Sequence, residues 1–594
     1  MNKKYCKNYS EDLFSREQEY KQQGLWTGES LHDRYERIIS GRSEELAVVD
    51  SRGRSLTHGD LWNSSGMLAD VLTKQGLRKG DVVIIFLPNL VEWQVALLGI
   101  MRMGGIPANL PTRTDADSLT YVAELTGTRA IITTDQLGLK STREIALAAA
   151  ELCEHRIDIF FLNETVQILE KLNPKLFPSA TDISKLDHIM FTSSTTGRAK
   201  AVMHSSDSLA ALNLTFTERF SLSPNDAIFM ASPLGHSVGT IHGARLSLYN
   251  ASPLVLQDVW NPEEALNMIH EYNCVFTAAA TPFLKDLLEV KWHSDKLKLA
   301  PMRWFLCGGA HVPQTLMERV EKEFPKTFVT LLWGMTEGGL TTSLRNSPSE
   351  KILTTAGIGL PGLEMQVVDS EGEMLANGEV GELVIRGPGV FIGYFGQSDL
   401  YKSLITAEGY FRTGDLATLD ESGYLRITGR LKDLIIRGGV NISPVPIEDA
   451  LSSHPDIFGV AVIGYPDERM GELLCAVIIP KKGITIYYVG SDELLEYENS
   501  PESWVKLDWK KEIEFTFIAR IIVTLINEVG VLNSITSTIA DYGGNISNLI
   551  LNEKDNDFYN LIIDINVNDN KHINAIVESL DGLPVIESVK RFVG

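Results

Sequence analysis

The chain has little cysteine, no long apolar run and a deficit of positive charge, and each shortage removes a class of protein. Its 594 residues include five cysteines, Cys6, Cys153, Cys274, Cys307 and Cys475. They are odd in number, far apart and without C-x-x-C spacing, which argues against a disulfide scaffold, a zinc ribbon or a dithiol redox centre and leaves reduced structural thiols. No stretch of about 18 uninterrupted apolar residues occurs, so no membrane span is expected. The opening MNKKYCKNYSEDLF has lysines but no apolar segment behind them, so the chain reads as cytoplasmic. Acidic residues outnumber basic ones 77 to 54, for a formal charge of -23. That field repels phosphate backbones, and nucleic acid is excluded as a partner. There is no internal repeat or low-complexity tract, and no G-x-x-x-x-G-K-[ST] phosphate loop.

What remains is globular sequence, 44% hydrophobic and 22% charged. From about residue 46, short β-rich runs alternate with helical patterns: DVVIIFLP, then NLVEWQVALLGIMRMG, then AIITT after another helical stretch. That rhythm predicts βαβ units. Residues 357 to 429 change to closely spaced, glycine-bounded strands (GLEMQVVDSEGE, GEVGELVIRGPG, GYLRITGR), which predict a smaller β subdomain. Beyond Gly483 an acidic segment, SDELLEYENSPESW, reads as a linker before a compact pattern that starts near Ile513.

The densest chemistry is FTSSTTGRAK at 191 to 200, after the apolar HIM and before a helix expected from about Ser206. Small residues let backbone N–H groups and hydroxyls close around phosphate oxygens, and Lys200 adds a compact positive charge. Alone, such a loop is more often a solvated connector. Downstream, however, stand LLWGMTEGGL at 331 to 340, FRTGDLATLD at 411 to 420 and ITGRLKDLIIRGG at 427 to 439. A surface cluster of ion pairs would give no reason for this arrangement of Gly, Thr and Arg.

With these four motifs in order, residues 25 to 480 closely resemble the adenylate-forming superfamily of acyl-CoA synthetases, aryl-acid AMP ligases, luciferases and peptide-synthetase adenylation domains. The resemblance implies an α/β fold with βαβ layers, a β subdomain and a small C-terminal lid. It implies that Thr192, Ser193, Ser194, Thr195, Thr196, Gly197 and Lys200 hold the β- and γ-phosphates of ATP; Ser194 stands where the family usually has glycine. Within WGMTEG, which includes Gly334 and Met335, Trp333 would stack on adenine, Thr336 face the α-phosphate and Glu337 ligate Mg²⁺. Asp415 would accept the ribose hydroxyls, Arg430 reach ribose and phosphate, and Lys432 mark the hinge, with Gly438 and Gly439 beyond it at the CoA or hinge region. The acid would lie between SPLGHSVG, with His236 as a gate, and LCGGAHV, where Gly308, Gly309 and Ala310 line the adenine and acyl pocket.

In that superfamily the lid ends in a lysine within a P-x-x-x-x-G-K-like segment, which bridges carboxylate and α-phosphate. Here the lid begins normally and departs at KKGITI, and no Gly-Lys pair follows Pro480. Lys506, Lys510 and Lys511 lack the glycine-proline framing and receive no catalytic role. The tail has its own pattern. Val531, Ile535 and Ile539 share one helical face, Ile573, Ile576, Val577 and Leu580 another, and Leu561, Ile563, Ile565 and Val567 alternate as a half-buried strand, giving the order βαββαβ. ARIIVTLINEVGVLNSITSTIADYGGNISNL resembles the ACT domain that closes RelA/SpoT-type alarmone synthetase/hydrolases. The resemblance implies edge-to-edge pairing into a homodimer and an amino-acid effector at the turn holding Gly530; an interaction module fits as well as a sensor.

The expected organisation is an N-terminal extension (1–24), an adenylate-forming domain (25–430), a truncated lid (431–482), a linker (483–512) and an ACT domain (513–594). The expected function is ATP-dependent activation of a small carboxylic acid to an acyl adenylate with transfer to CoA or another thiol, using Mg²⁺ and impaired by loss of the lid lysine. The alternative is a non-enzymatic nucleotide-binding remnant or fused gene product whose ACT domain mediates association.

Overall fold

The fold is known from a computed structural model that describes residues 16–134, 141–162, 186–192, 198–290, 299, 301–308, 314–452, 454, 457–467, 469–480, 517–526, 531–555, 558–567, 570–583 and 585–591. It divides into two compact units, residues 1–484 and 485–594. In the first, the β-rich runs become strands buried on both faces. Six parallel strands, Phe328–Met335, Trp304–Gly308, Cys274–Ala279, Ala227–Met230, Leu254–Leu256 and Leu46–Asp50, form the centre of a nine-stranded sheet with antiparallel edges. A seven-stranded sheet is built around Val82–Phe86, Ile106–Asn109, Ala130–Thr133 and Leu186–Phe191. The expected helix after DVVIIFLP is Val91–Arg102, buried along nearly its whole length between these layers. Continuous Val/Ile/Leu runs belong in such doubly covered parallel strands.

The β subdomain is an antiparallel sheet ordered Glu364–Val368, Gly381–Arg386, Phe411–Leu419, Leu425–Arg430. The lid is a second four-stranded sheet, in which Ile457–Asp467 and Gly471–Pro480 pair along their length. Its hairpin Ile435–Arg437/Val440–Ile442 turns on Gly438 and Gly439. Both have positive φ, 59° and 84°, as a tight two-residue hairpin turn requires. Among the described residues no helix is long and apolar enough to cross a membrane.

The second unit has the order strand Phe517–Ile526, helix Val531–Asp541, strands Asn545–Asp555 and Phe558–Val567, helix Asn570–Asp581, strand Ile586–Arg591. This is the βαββαβ order read from sequence. The first strand lies in the middle, paired with Phe558–Val567 on one side and Ile586–Arg591 on the other. Ile535, Ile539, Ile563, Ile565, Ile573, Ile576 and Leu580 close one core, so the alternating strand residues and both helical faces point inward as their periods require.

Candidate active site

The ends of the FTSSTTGRAK segment are held together. Strands Leu186–Phe191 and Ala201–Ser205 pair antiparallel with Phe191 opposite Ala201, and the Thr192 amide donates to the Lys200 carbonyl at 3.2 Å. Residues 193–197, and with them Ser193, Ser194, Thr195, Thr196 and Gly197, lie outside the described residues, as do Gly309, Ala310 and Gly530. Ser205 ends the second strand and caps the helix Ser206–Phe220 in a reciprocal capping box with Ser208, so strand and helix follow the loop without slack. The Lys200 ammonium lies 5.0 Å from the ring centroid of Tyr394.

Thr336 and Glu337 form the tip of a hairpin. Strand Phe328–Met335 turns into Gly338–Thr342 with Met335 opposite Gly338, leaving those two residues as the turn. Hairpin tips normally face solvent. This one is buried, with Thr336 8% and Glu337 5% exposed. Both turn carbonyls are held from outside: His204 Nε2 donates to Thr336 O at 2.8 Å, and the Phe391 amide donates to Glu337 O at 2.8 Å. Gly338 has φ +110°, and a Cβ there would strike the Gly389 carbonyl oxygen, which is why glycine follows the acid. The Tyr394 hydroxyl donates to Glu337 Oε1 at 2.7 Å. Burial pushes the Glu337 carboxyl above the ordinary range, against the pull of that hydrogen bond and of Lys200.

Asp415 and Arg430 face each other across the strands Phe411–Leu419 and Leu425–Arg430. The Asp415 carboxylate is buried and accepts twice, from Trp333 Nε1 at 2.9 Å and from Arg430 Nε at 2.9 Å. Trp333 is only 8% exposed and packs in the β-subdomain core, so little of its indole is free to stack on a base. Gly334 is exposed and Met335 half-buried beside it. The Arg430 side chain is more than half exposed, and Lys432, also exposed, stands in the 3-10 turn Leu431–Asp433 that begins the lid.

Residues of the SPLGHSVG segment meet the hairpin tip. His236 precedes the helical turn Ser237–Gly239, and Thr336 Oγ1 donates to Ser237 Oγ at 3.3 Å. Burial and the nearby Arg113 hold the His236 imidazole below its ordinary pKa, which favours the neutral ring. Gly308 ends its strand so close to the next that a Cβ would come within 2.6 Å of the Leu332 carbonyl oxygen. Among the described residues, then, Lys200, Thr336, Glu337, His236, Trp333, Asp415 and Arg430 are linked through direct contacts or shared elements, while Lys432 sits in the turn that follows Arg430 and Gly438 and Gly439 in the lid hairpin.

Residues 35–395 match the AMP-binding enzyme family, residues 446–500 the AMP-binding enzyme C-terminal domain, and residues 514–591 the ACT domain. The medium-chain fatty-acid–CoA ligase of Escherichia coli (strain K12) is 31% identical over 487 residues, 78% of this chain and 83% of that protein. The chain belongs to the AMP-binding enzyme family. Another relative, 4-coumarate–CoA ligase-like 4 of Oryza sativa subsp. japonica, is 30% identical over 74% of this chain and 81% of its own length. Among solved structures, ATP-bound MatB from Rhodopseudomonas palustris superposes with a TM-score of 0.69 at 27% identity, covering 77% of this chain and 90% of that one. The C-terminal ACT domain sets this AMP-binding enzyme's architecture apart from a lid-terminated chain.

Three members of the site escaped the sequence reading. Tyr394, which donates to Glu337, lies in GYFG, where a tyrosine between glycines at a strand end was the available signal. His204 was visible only as a neighbour of a motif, and Ser237 lay within SPLGHSVG without a role of its own. Nothing in their local spacing says that they touch the hairpin tip.

Proposed function

We propose that this AMP-binding enzyme activates a small carboxylic acid with ATP to an acyl adenylate and passes the acyl group to a thiol, with CoA as the acceptor. The observation that carries the reading is the buried hairpin tip: Glu337, 5% exposed, beside Thr336, which reaches Ser237 of the acid loop. Nucleotide and acid elements thus converge on one turn.

In this reading Asp415 accepts the two ribose hydroxyls with the carboxylate face not used by Trp333 and Arg430. Lys200, at the exit of the phosphate loop, balances the departing pyrophosphate, and Thr336 donates to an α-phosphate oxygen. The acid's carboxylate oxygen attacks the α-phosphorus, the bond to pyrophosphate breaks, and the thiol later displaces AMP from the acyl carbon. No side-chain nucleophile is needed; positioning and electrostatics carry the rate. Glu337 suits Mg²⁺, which takes hard oxygen ligands and shares them with substrate phosphates, so a single protein carboxylate fits. Bound there, the ion supplies neutralisation of the charge on the leaving pyrophosphate. Neutral His236 lines the acid side without competing for the substrate's charge.

The lid enters the proposal as its weak point, because no Gly-Lys pair follows Pro480. ATP–pyrophosphate exchange with a panel of aryl, alicyclic and short-to-medium acyl acids, followed by detection of CoA thioesters, tests the activity. Exchange above background with at least one acid supports it. A folded protein that binds Mg-ATP and exchanges with none returns the alternative, a nucleotide-binding chain with an ACT association module.

A further inference from the structure

A buried polar chain runs behind the SPLGHSVG loop. Arg245 is 1% exposed, with its guanidinium 3.1 Å from the Asp187 carboxylate and 3.2 Å from His188 Nδ1. The other ring nitrogen of fully buried His188, Nε2, lies 2.6 Å from Asn109 Oδ1. A guanidinium only donates and an amide oxygen only accepts, so a single neutral tautomer, protonated at Nε2, satisfies both neighbours. With its oxygen engaged, Asn109 aims its NH₂ at the loop and donates to Gly235 O at 2.8 Å and Thr240 Oγ1 at 3.0 Å. Thr240 Oγ1 in turn lies 2.6 Å from Leu234 O and 3.0 Å from His236 O. From the other side Asn89 accepts from the Leu234 amide at 2.8 Å and donates to Ser232 O at 3.0 Å.

The backbone is bent to serve this arrangement. Thr240–Arg245 is a π-helical turn, and its first and last residues both belong to the network. Hydrogen bonding from i to i+5 stacks residues five apart on one face. Regular α-helical winding would carry them about 140° apart.

We propose that His188 and Arg245 are positioning residues for the acid-binding loop. Arg245 fixes the His188 tautomer, His188 fixes the Asn109 amide, and Asn109 holds the Gly235 carbonyl and the Thr240 hydroxyl, so that the loop keeps Ser237 against the hairpin tip. The network therefore sets affinity for the acid and leaves the nucleotide side alone. This rests on the reading that residues 232–239 line the acid site.

The test compares His188→Phe, which fills the ring's space and removes both hydrogen bonds, with His188→Gln, whose amide offers NH₂ to Asn109 and oxygen to Arg245. Hydrogen–deuterium exchange of the 232–240 peptide and the separate KM values for acid and ATP are measured in each. The Phe variant is expected to exchange that peptide at least about fivefold faster and to raise the acid KM by at least about fivefold, with the ATP KM within about twofold of the parent. The Gln variant restores both. Equal rises in the two KM values, no change in either measurement, or failure of Gln to rescue would overturn the proposal. If His188→Phe does not fold, Thr240→Val breaks the same chain at its loop end and must give the same two shifts. If the parent protein activates no acid, the ligase reading falls while the peptide exchange rates still decide whether this network holds the loop.

Discussion

Asp415→Asn separates nucleotide binding from stability, because the two inward neighbours of the carboxylate differ in their solvation. Trp333 Nε1 is buried and Arg430 is more than half exposed, and both donate to Asp415 at 2.9 Å. An amide can accept on one side only. Leaving the indole N–H unpaired would cost about 1–3 kcal/mol, so the amide turns its oxygen toward Trp333 and its NH₂ toward Arg430. The guanidinium then swings into water, at a cost of about 0–1 kcal/mol, the ordinary worth of an exposed pair. Stability should therefore fall by no more than about 1 kcal/mol. On the proposed reading the ribose, by contrast, loses an anionic acceptor. Hydrogen bonds to charged groups are each worth about 1.5–3 kcal/mol, so weakening two predicts a loss of about 2–4 kcal/mol, or roughly 30- to 1,000-fold in Kd. Calorimetric titration of Mg-ATP into parent and variant, with urea midpoints for both, measures the two quantities. A variant that binds ATP like the parent removes Asp415 from the ribose site. One that loses affinity and stability together shows that its role is to hold Trp333.

Three further outcomes are expected. Replacing the chain beyond Pro480 with a related ligase's C-terminal segment should raise ATP–pyrophosphate exchange at least about 10²-fold, the usual worth of one preorganised charge-stabilising donor; unchanged rates would show that the lid does not limit turnover. The fragment 513–594 should fold alone and self-associate, because a domain of about 80 residues is marginal and open sheet edges favour pairing; sedimentation that finds a folded monomer rejects the pairing, and an unfolded chain rejects the domain. Burial lowers the pKa of His58 and His204 to about 4, of His242 to about 3, and of His188 well below the ordinary 6.5. The unfolded chain binds more protons than the native one in that range, so stability present above pH 6.5 should drain away as the pH falls towards about 4, and urea midpoints that stay flat across that window would contradict the burial.

Much of the architecture was legible because period and motif are local properties. The alternation of Leu561, Ile563 and Ile565 and the spacing of Ile535 and Ile539 each specify which face is buried, and the core closes on those atoms. The motifs also singled out Thr336, Glu337, Asp415 and Arg430, whose side-chain contacts the structure describes. The contacts that aim these groups were not legible, because they join distant positions: Tyr394 reaches Glu337 across 57 residues, and His204 reaches Thr336 across 132. Nor does periodicity announce a π turn, since Thr240–Arg245 is only six residues long, too short for one wider winding to show in the apolar pattern. Trp333 shows the opposite limit. An aromatic in a nucleotide motif suggests stacking, yet the indole's N–H has gone to Asp415 and its ring into the core.

The sheet order of the second unit has a consequence for how the chain is made. Its central strand, Phe517–Ile526, is among the first of that unit to leave the ribosome, yet one of its two partners is Ile586–Arg591. Until that last segment emerges, the flank of FIARIIVTLI that it will cover stays open, an apolar β-rich edge able to pair with another nascent chain. Slow synthesis across residues 526 to 586 therefore prolongs the exposure of that edge. A stalled or clipped message that ends within this window leaves that edge uncovered, a template for aggregation.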